Sequence, residues 1–163
     1  MKAIPIAALF LIGYVVAACG QTAPAPTQQN RVIEKWLSCE ECSNGELQAL
    51  VQIGQPAVGP LATALRNGPP QTLRDERRRQ LSAKYRASVE YARTHPDSPV
   101  PMSEDQYIRR HMDNLVLLYQ IRAATGLGFV GGPDARRELT QALSLPLPPD
   151  VLVAIRQALV RIG

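Results

Sequence analysis

Three observations predict an all-α fold, a stack of α-hairpins with about seven helices and one long helix inserted among them. Apolar residues recur at spacings of three and four along most of the chain, the period of a helix face. Two capping boxes, Ser43 with Glu46 and Ser103 with Gln106, announce helix starts. The pattern of an apolar-striped helix, a Gly stop, a Pro start and a second striped helix occurs more than once. Composition agrees. Aromatics make up only 5% of the residues and alternating runs of Val, Ile and Thr are missing, so a sheet has little to be built from.

Taken in order, Val32, Ile33, Trp36 and Leu37 stripe a short helix over residues 31–38. Ser43 should open a helix that runs through Ile53 and halts at Gly54. Pro56 suits the first turn of the next, which extends to about Asn67. Gly68-Pro69-Pro70 breaks the chain. Thr72 is then placed to cap a long helix with Leu81, Tyr85, Val89 and Ala92 on one face. Pro96 ends that helix, and residues 95–101 read as a loop. Ser103 opens a helix carrying Ile108, Met112, Leu115 and Tyr119 towards Val130. Gly131-Gly132 stops it, and Pro133 starts a helix striped by Leu139 and Leu143. After the turn at residues 145–149, Asp150 is placed to cap a last helix to Ile162.

The stretch from Ile121 to Gly131 is echoed 32 residues later from Val153 to Gly163, and an earlier echo runs from Glu46 to Gly54. Gly54 is followed by Pro56, Val58 and Leu61, and Gly131 by Pro133, Ala135 and Leu139. A unit of this kind cannot bury its apolar face alone and must stack on its neighbours. Over roughly residues 44–68 and 117–163 the pattern resembles HEAT-like repeats, interrupted by the long helix and loop between Pro69 and Ser103. The resemblance implies a compact, irregular hairpin stack that binds other proteins rather than catalysing. A non-repetitive helical bundle obeys the same packing rules and stays open as an alternative.

The amino terminus speaks to location. Lys2 precedes sixteen mostly apolar residues, Ala3 to Ala18, and the run closes on Val16-Ala17-Ala18-Cys19. A basic start, a short apolar run and small residues before a cut describe a secretory signal peptide. The run is shorter than the ~20 residues a spanning helix needs. With Cys directly after the small pair, the segment resembles the lipobox of bacterial lipoproteins. That resemblance implies removal of residues 1–18, acylation of Cys19 and attachment to a membrane through the lipid. Gly20 stands where an Asp would favour retention at the inner membrane, which points to the periplasmic side of the outer membrane. Polar, proline-bearing residues 19–30 then read as a flexible tether and residues 31–163 as the helical domain. The formal charge of +4 falls to +3 without Lys2, too small a balance to imply nucleic acid.

Cys39-Glu40-Glu41-Cys42 has the spacing of thiol–disulfide oxidoreductases. In an exported protein the default for an even pair is a structural disulfide, and Glu40 and Glu41 oppose the thiolate that redox catalysis needs. A membrane-tethered thiol–disulfide oxidoreductase using Cys39 and Cys42 is the alternative; free thiols or a metal site are weaker readings. A closed zinc site wants four ligands at fixed spacing, and His95 and His111 offer no paired arrangement, so no metal is expected. His111 sits beside an apolar face, as an ordinary core-edge histidine does. Glu40/Glu41 and Glu104/Asp105 lie at helix beginnings, where the dipole accounts for them. Gly126, Gly128, Gly131 and Gly132 form no dinucleotide fingerprint, and nucleophile elbows, zinc-protease motifs and phosphate loops are missing, so neither an enzyme nor a cofactor is expected.

Two surfaces are candidates for an unidentified envelope protein. Arg77 and Arg78 belong to a run of basic residues on the long helix, which reads either as a solvated face or as a contact for anionic surfaces. On the last helix Val153 and Val160 fall among Arg156, Gln157 and Arg161, where a terminal helix normally shows a polar face.

Overall fold

The computed structural model describes residues 28–39, 41–95, 97 and 102–163. The expectations for the leader 1–18, for Cys19, for tether residues 20–27, for Glu40 and for most of the 96–101 loop lie outside the described residues. Within them the chain is all-helical, with no strand: α1 (Gln28–Ser38), α2 (Asn44–Ile53), α3 (Val58–Asn67), α4 (Gln71–Thr94), α5 (Glu104–Val130), α6 (Gly132–Ala142) and α7 (Pro149–Ile162). A single 3₁₀ turn, Gln55–Ala57, leads into α3.

Local signals set most of the boundaries. Both capping boxes form, with the Ser43 hydroxyl accepting from the Glu46 N–H and Ser103 doing the same for Gln106. Gly54 and Gly131 end α2 and α5 at φ of 66° and 67°, a backbone region that favours glycine. Three starts differ from expectation. The first helix begins at Gln28 rather than Arg31, inside the expected tether. Pro70 precedes α4, so Thr72 lies within the first turn instead of capping it. Pro148 precedes α7 and Pro149 opens it, leaving Asp150 to meet the positive end of the helix dipole.

The second half of α5 is the axis of the core. From Tyr119 to Gly128 it buries Tyr119, Gln120, Ala123, Ala124, Gly126, Leu127 and Gly128 over more than half of its circumference, while Ile121, Arg122 and Thr125 on the remaining side are half-buried. A face this wide needs several neighbours: α7 and α3 pack on it most extensively, with α1, α2 and α6 also in contact. α3 also meets α6, and α6 meets α7. Leu50, Leu61, Leu65, Leu139, Val151 and Ile155 fill the space between these helices. The Gln120 side chain, itself buried, donates to the Leu65 carbonyl at 2.9 Å and ties α5 to the end of α3. At the surface Arg66 pairs with Glu138 and Gln55 with Asp134, linking α3 and the turn before it to α6.

α4 is different. Its 24 residues extend about 36 Å at 1.5 Å per residue, and α5 is its principal neighbour. Of the face expected on it, only Leu81 is buried; Tyr85 and Ala92 are half-buried and Val89 is exposed. Tyr85 meets Tyr107 of α5 with ring centroids 5.7 Å apart, and Tyr107 meets His111 at 4.4 Å. The Leu139/Leu143 stripe is likewise halved: Leu139 is fully buried, whereas Leu143 lies just past the end of α6 and is exposed.

Candidate functional site

Two neighbouring features involve α1: a disulfide-braced corner at its end and a groove along its side. Cys39 follows the last turn of α1 and Cys42 sits just before the Ser43 cap of α2, with Cα atoms 5.3 Å apart and their sulfurs joined. The two Sγ atoms lie 2.9 and 3.8 Å from the Trp36 carbonyl oxygen. Trp36 in turn donates its indole N–H to the Arg122 carbonyl of α5 at 3.0 Å, and the Arg122 guanidinium donates back to the Leu37 carbonyl at 3.3 Å. These paired bonds seat the end of α1 on α5, and the disulfide closes the turn into α2.

Glu46 completes the corner. Its carboxylate accepts from the Ser43 N–H at 2.9 Å and pairs with Lys35 of α1 at 3.3 Å. Those contacts, the backbone one foremost, hold its pKa below the ordinary carboxylate value. Since the folded-state pKa is the lower one, the contribution is present at neutral pH and is lost in acid, as pH falls through that value. Cys39, Cys42 and Glu46 offer three metal-ligating atoms within 4.8 Å of one another. Sulfurs tied in a disulfide are not thiolates, however, and only thiolates make strong metal ligands.

The two helix ends at this corner act oppositely on its cysteines, since Cys42 stands just before the N-terminus of α2, which favours a thiolate. Cys39 stands at the carbonyl end of α1, where the helix dipole and the Trp36 oxygen would both oppose a thiolate. Closing so short a loop should stabilise the fold by only about 2 kcal/mol in the chain-entropy model. Cys39→Ser/Cys42→Ser should therefore melt a few degrees early by circular dichroism while keeping its helical signal. The same shift should appear when the unaltered chain is melted with a reductant.

The groove lies between α1 and α3 and encloses about 730 Å³, a volume in the range of ligand pockets. Ile33, Glu34 and Leu37 form one wall, and Thr63, Ala64 and Asn67 form the other. Each wall uses the one-face spacing of a helix. Pro69 and Pro70 close one end and Tyr119 of α5 also lines the groove. Tyr119 is 6% exposed, and its hydroxyl has no hydrogen-bond partner among the described residues. No unpartnered side-chain oxygen there is sealed from solvent, so that hydroxyl opens on the groove. Burial, then the nearby Glu34 carboxylate, push its pKa up, so the hydroxyl stays protonated at neutral pH and available as a donor.

The other sequence candidates lie elsewhere. Val153 and Val160 are on α7, 46% and 82% exposed, and neither lines the groove. Arg77 is half-buried beside a smaller cavity of about 260 Å³ that it shares with Glu76, His111 and Arg122; Arg78 is exposed. His95 stacks on Tyr91 at the far end of α4, with ring centroids 3.9 Å apart. No nucleophile, base and orienting group converge among these residues. No described helix is long and apolar enough to cross a membrane.

Sequence reading singled out neither Glu34 nor the Tyr119 hydroxyl. Tyr119 counted only as one apolar position of α5, and nothing along the chain says that a hydroxyl lacks a partner. No protein family, curated protein or solved structure matches this chain.

Proposed function

We propose that this protein is a lipid-anchored, HEAT-like helical module of the bacterial envelope that binds another protein and has no catalytic role. The observation that carries the binding reading is the open α1–α3 groove, lined by apolar and polar side chains together rather than by a reacting constellation. The repeat reading is supported by the contacts: α2, the second half of α5 and α7 correspond in the repeats and touch in that order, while α3 and α6, the second helices of the units, touch each other. The anchor reading rests on Val16-Ala17-Ala18-Cys19. Binding as the role of such a stack is an analogy from architecture.

Mass spectrometry of the membrane fraction should find no peptide from residues 1–18 and a lipid adduct on Cys19. Cys19→Ser should release the protein from the membrane. Photo-crosslinkers placed at Thr63, in the groove, and at Val160, on α7, should trap a discrete heteromeric adduct in intact envelopes. An unmodified Cys19 overturns the anchor; no adduct at either position overturns the binding module. The CxxC spacing and the exposure of Cys42 favour a second reading, a tethered thiol–disulfide oxidoreductase. It requires partner proteins disulfide-bonded to Cys39 in a Cys42→Ser variant.

A further inference from the structure

Residues 121–130 of α5 and 153–162 of α7 echo each other in sequence but are not buried alike. Ile121, Ala124, Thr125 and Gly128 are buried or half-buried, whereas their counterparts Val153, Arg156, Gln157 and Val160 are all exposed. Four positions so spaced share one face of a helix. On α5 that face includes the contact with α7, since a Cβ at Gly128 would meet the Ala158 Cβ at 2.7 Å. α7 thus repeats, uncovered, a face that on α5 receives a helix.

The uncovered face is its own complement. Read from either end it runs Val, two polar residues, Val, centred between Arg156 and Gln157. An antiparallel second copy would set Val153 of each chain against Val160 of the other, the reciprocity of a two-fold interface. Charge fixes the direction. Asp150 and Arg161 lie near opposite ends of α7 and on the same flank of the stripe, about 20° apart at 100° per residue. Antiparallel packing brings each Asp150 level with Arg161 of the other copy, giving two attractive pairs; parallel packing gives none. Asp150 has no ion-pair partner among the described residues. Arg161 is held on that flank by the Phe129 ring, 4.1 Å from its guanidinium carbon. Against those two pairs stands one like pair, Arg156 with Arg156, at the other edge.

We infer that α7 pairs with α7 of a second copy, antiparallel about a two-fold axis between residues 156 and 157, with Val153 on Val160 and Asp150 beside Arg161. One helix face is a small interface, so the association is weak in solution; on the anchor reading, copies tethered to one membrane meet at high effective concentration. The pairing goes beyond the binding-module reading, because no α7 residue lines the α1–α3 groove. A partner trapped at Val160 in envelopes displaces the second copy.

Sedimentation of the full chain in detergent micelles, with micelles in excess over protein, tests the pairing. A monomer–dimer equilibrium is expected. Val160→Lys should weaken it at least about tenfold, because the symmetry buries the charge twice, and should leave the melting temperature unchanged. Asp150→Arg and Arg161→Asp should each weaken it about fivefold, and the two together should restore it. Arg156→Gln should tighten it about twofold by removing the like pair. A photo-crosslinker at Val160 should attach to the peptide that holds Val153 of the other copy. A monomer at about 0.1 mM, a dimer indifferent to Val160→Lys, a failed charge rescue, or attachment at Val160 of the other copy would overturn the pairing. If the pairing fails while Thr63 still traps a partner in envelopes, the binding module stands.

Discussion

Gly128→Val should lower the melting temperature by about 10 °C, the expected result of a side chain forced between α5 and α7. A Cβ at position 128 would stand 2.7 Å from the Ala158 Cβ and 2.8 Å from its Cα. The second of these is backbone, so relief requires α7 itself to move away from the axis of the core. A valine adds two further carbons to that clash, beyond the 1–3 kcal/mol usual for overpacking by about one methylene.

A glycine series separates packing from propensity. Replacing a helical Gly by Ala gains about 1 kcal/mol of helix propensity in open space. Gly59→Ala, with nothing within 4 Å of its new Cβ, should therefore be neutral or stabilising. At Gly126 the Cβ would meet the Trp36 Nε1 at 2.9 Å and the Leu50 Cδ2 at 3.0 Å, both side-chain atoms. Gly126→Ala should then cost less than Gly128→Ala, because side chains yield more readily than a helix backbone. Thermal melts of the four variants check the order. A Gly128→Val protein that melts with the unaltered chain would mean that α5 and α7 do not approach this closely.

Those glycines show where sequence reading ran out. In the sequence Gly126 and Gly128 amount only to a failed nucleotide fingerprint, because their use lies in the distance to residues thirty or more positions away. Capping boxes and glycine stops were legible because donor, acceptor and φ requirement all fall within a few residues. Burial was legible only where helices are enclosed: Leu139 and Leu81 follow the apolar stripe to the core. Val89 and Leu143 followed it to the surface, since a stripe names a face and not its neighbour. The candidate site divides in the same way. Cys39 and Cys42 stand three positions apart in the chain, and their pairing could be anticipated. The groove joins α1, α3 and α5, and its determinants Glu34 and Tyr119 meet only through the fold.

Trp36→Ala should be the costliest change on the α1 side, about 3–5 kcal/mol by comparison with other large aromatic deletions. Trp36 is 5% exposed, and its indole N–H answers the Arg122 carbonyl in the middle of the core helix. The truncation would therefore remove packing and leave that carbonyl without this partner. Trp36→Phe keeps most of the packing and loses the bond, so it should cost roughly 1–2 kcal/mol. Circular dichroism is the measure, because Trp36 is the sole tryptophan and its fluorescence goes with it. The two losses need not be global. Trp36, the Arg122–Leu37 bond and the Cys39–Cys42 disulfide all hold α1 in place, so Trp36→Ala with both cysteines changed to serine should lose more than the separate effects summed. Protease cutting between residues 38 and 44 should rise before the core melts. If cutting and global melting coincide in every variant, α1 is an inseparable part of the core and the corner is no independent brace.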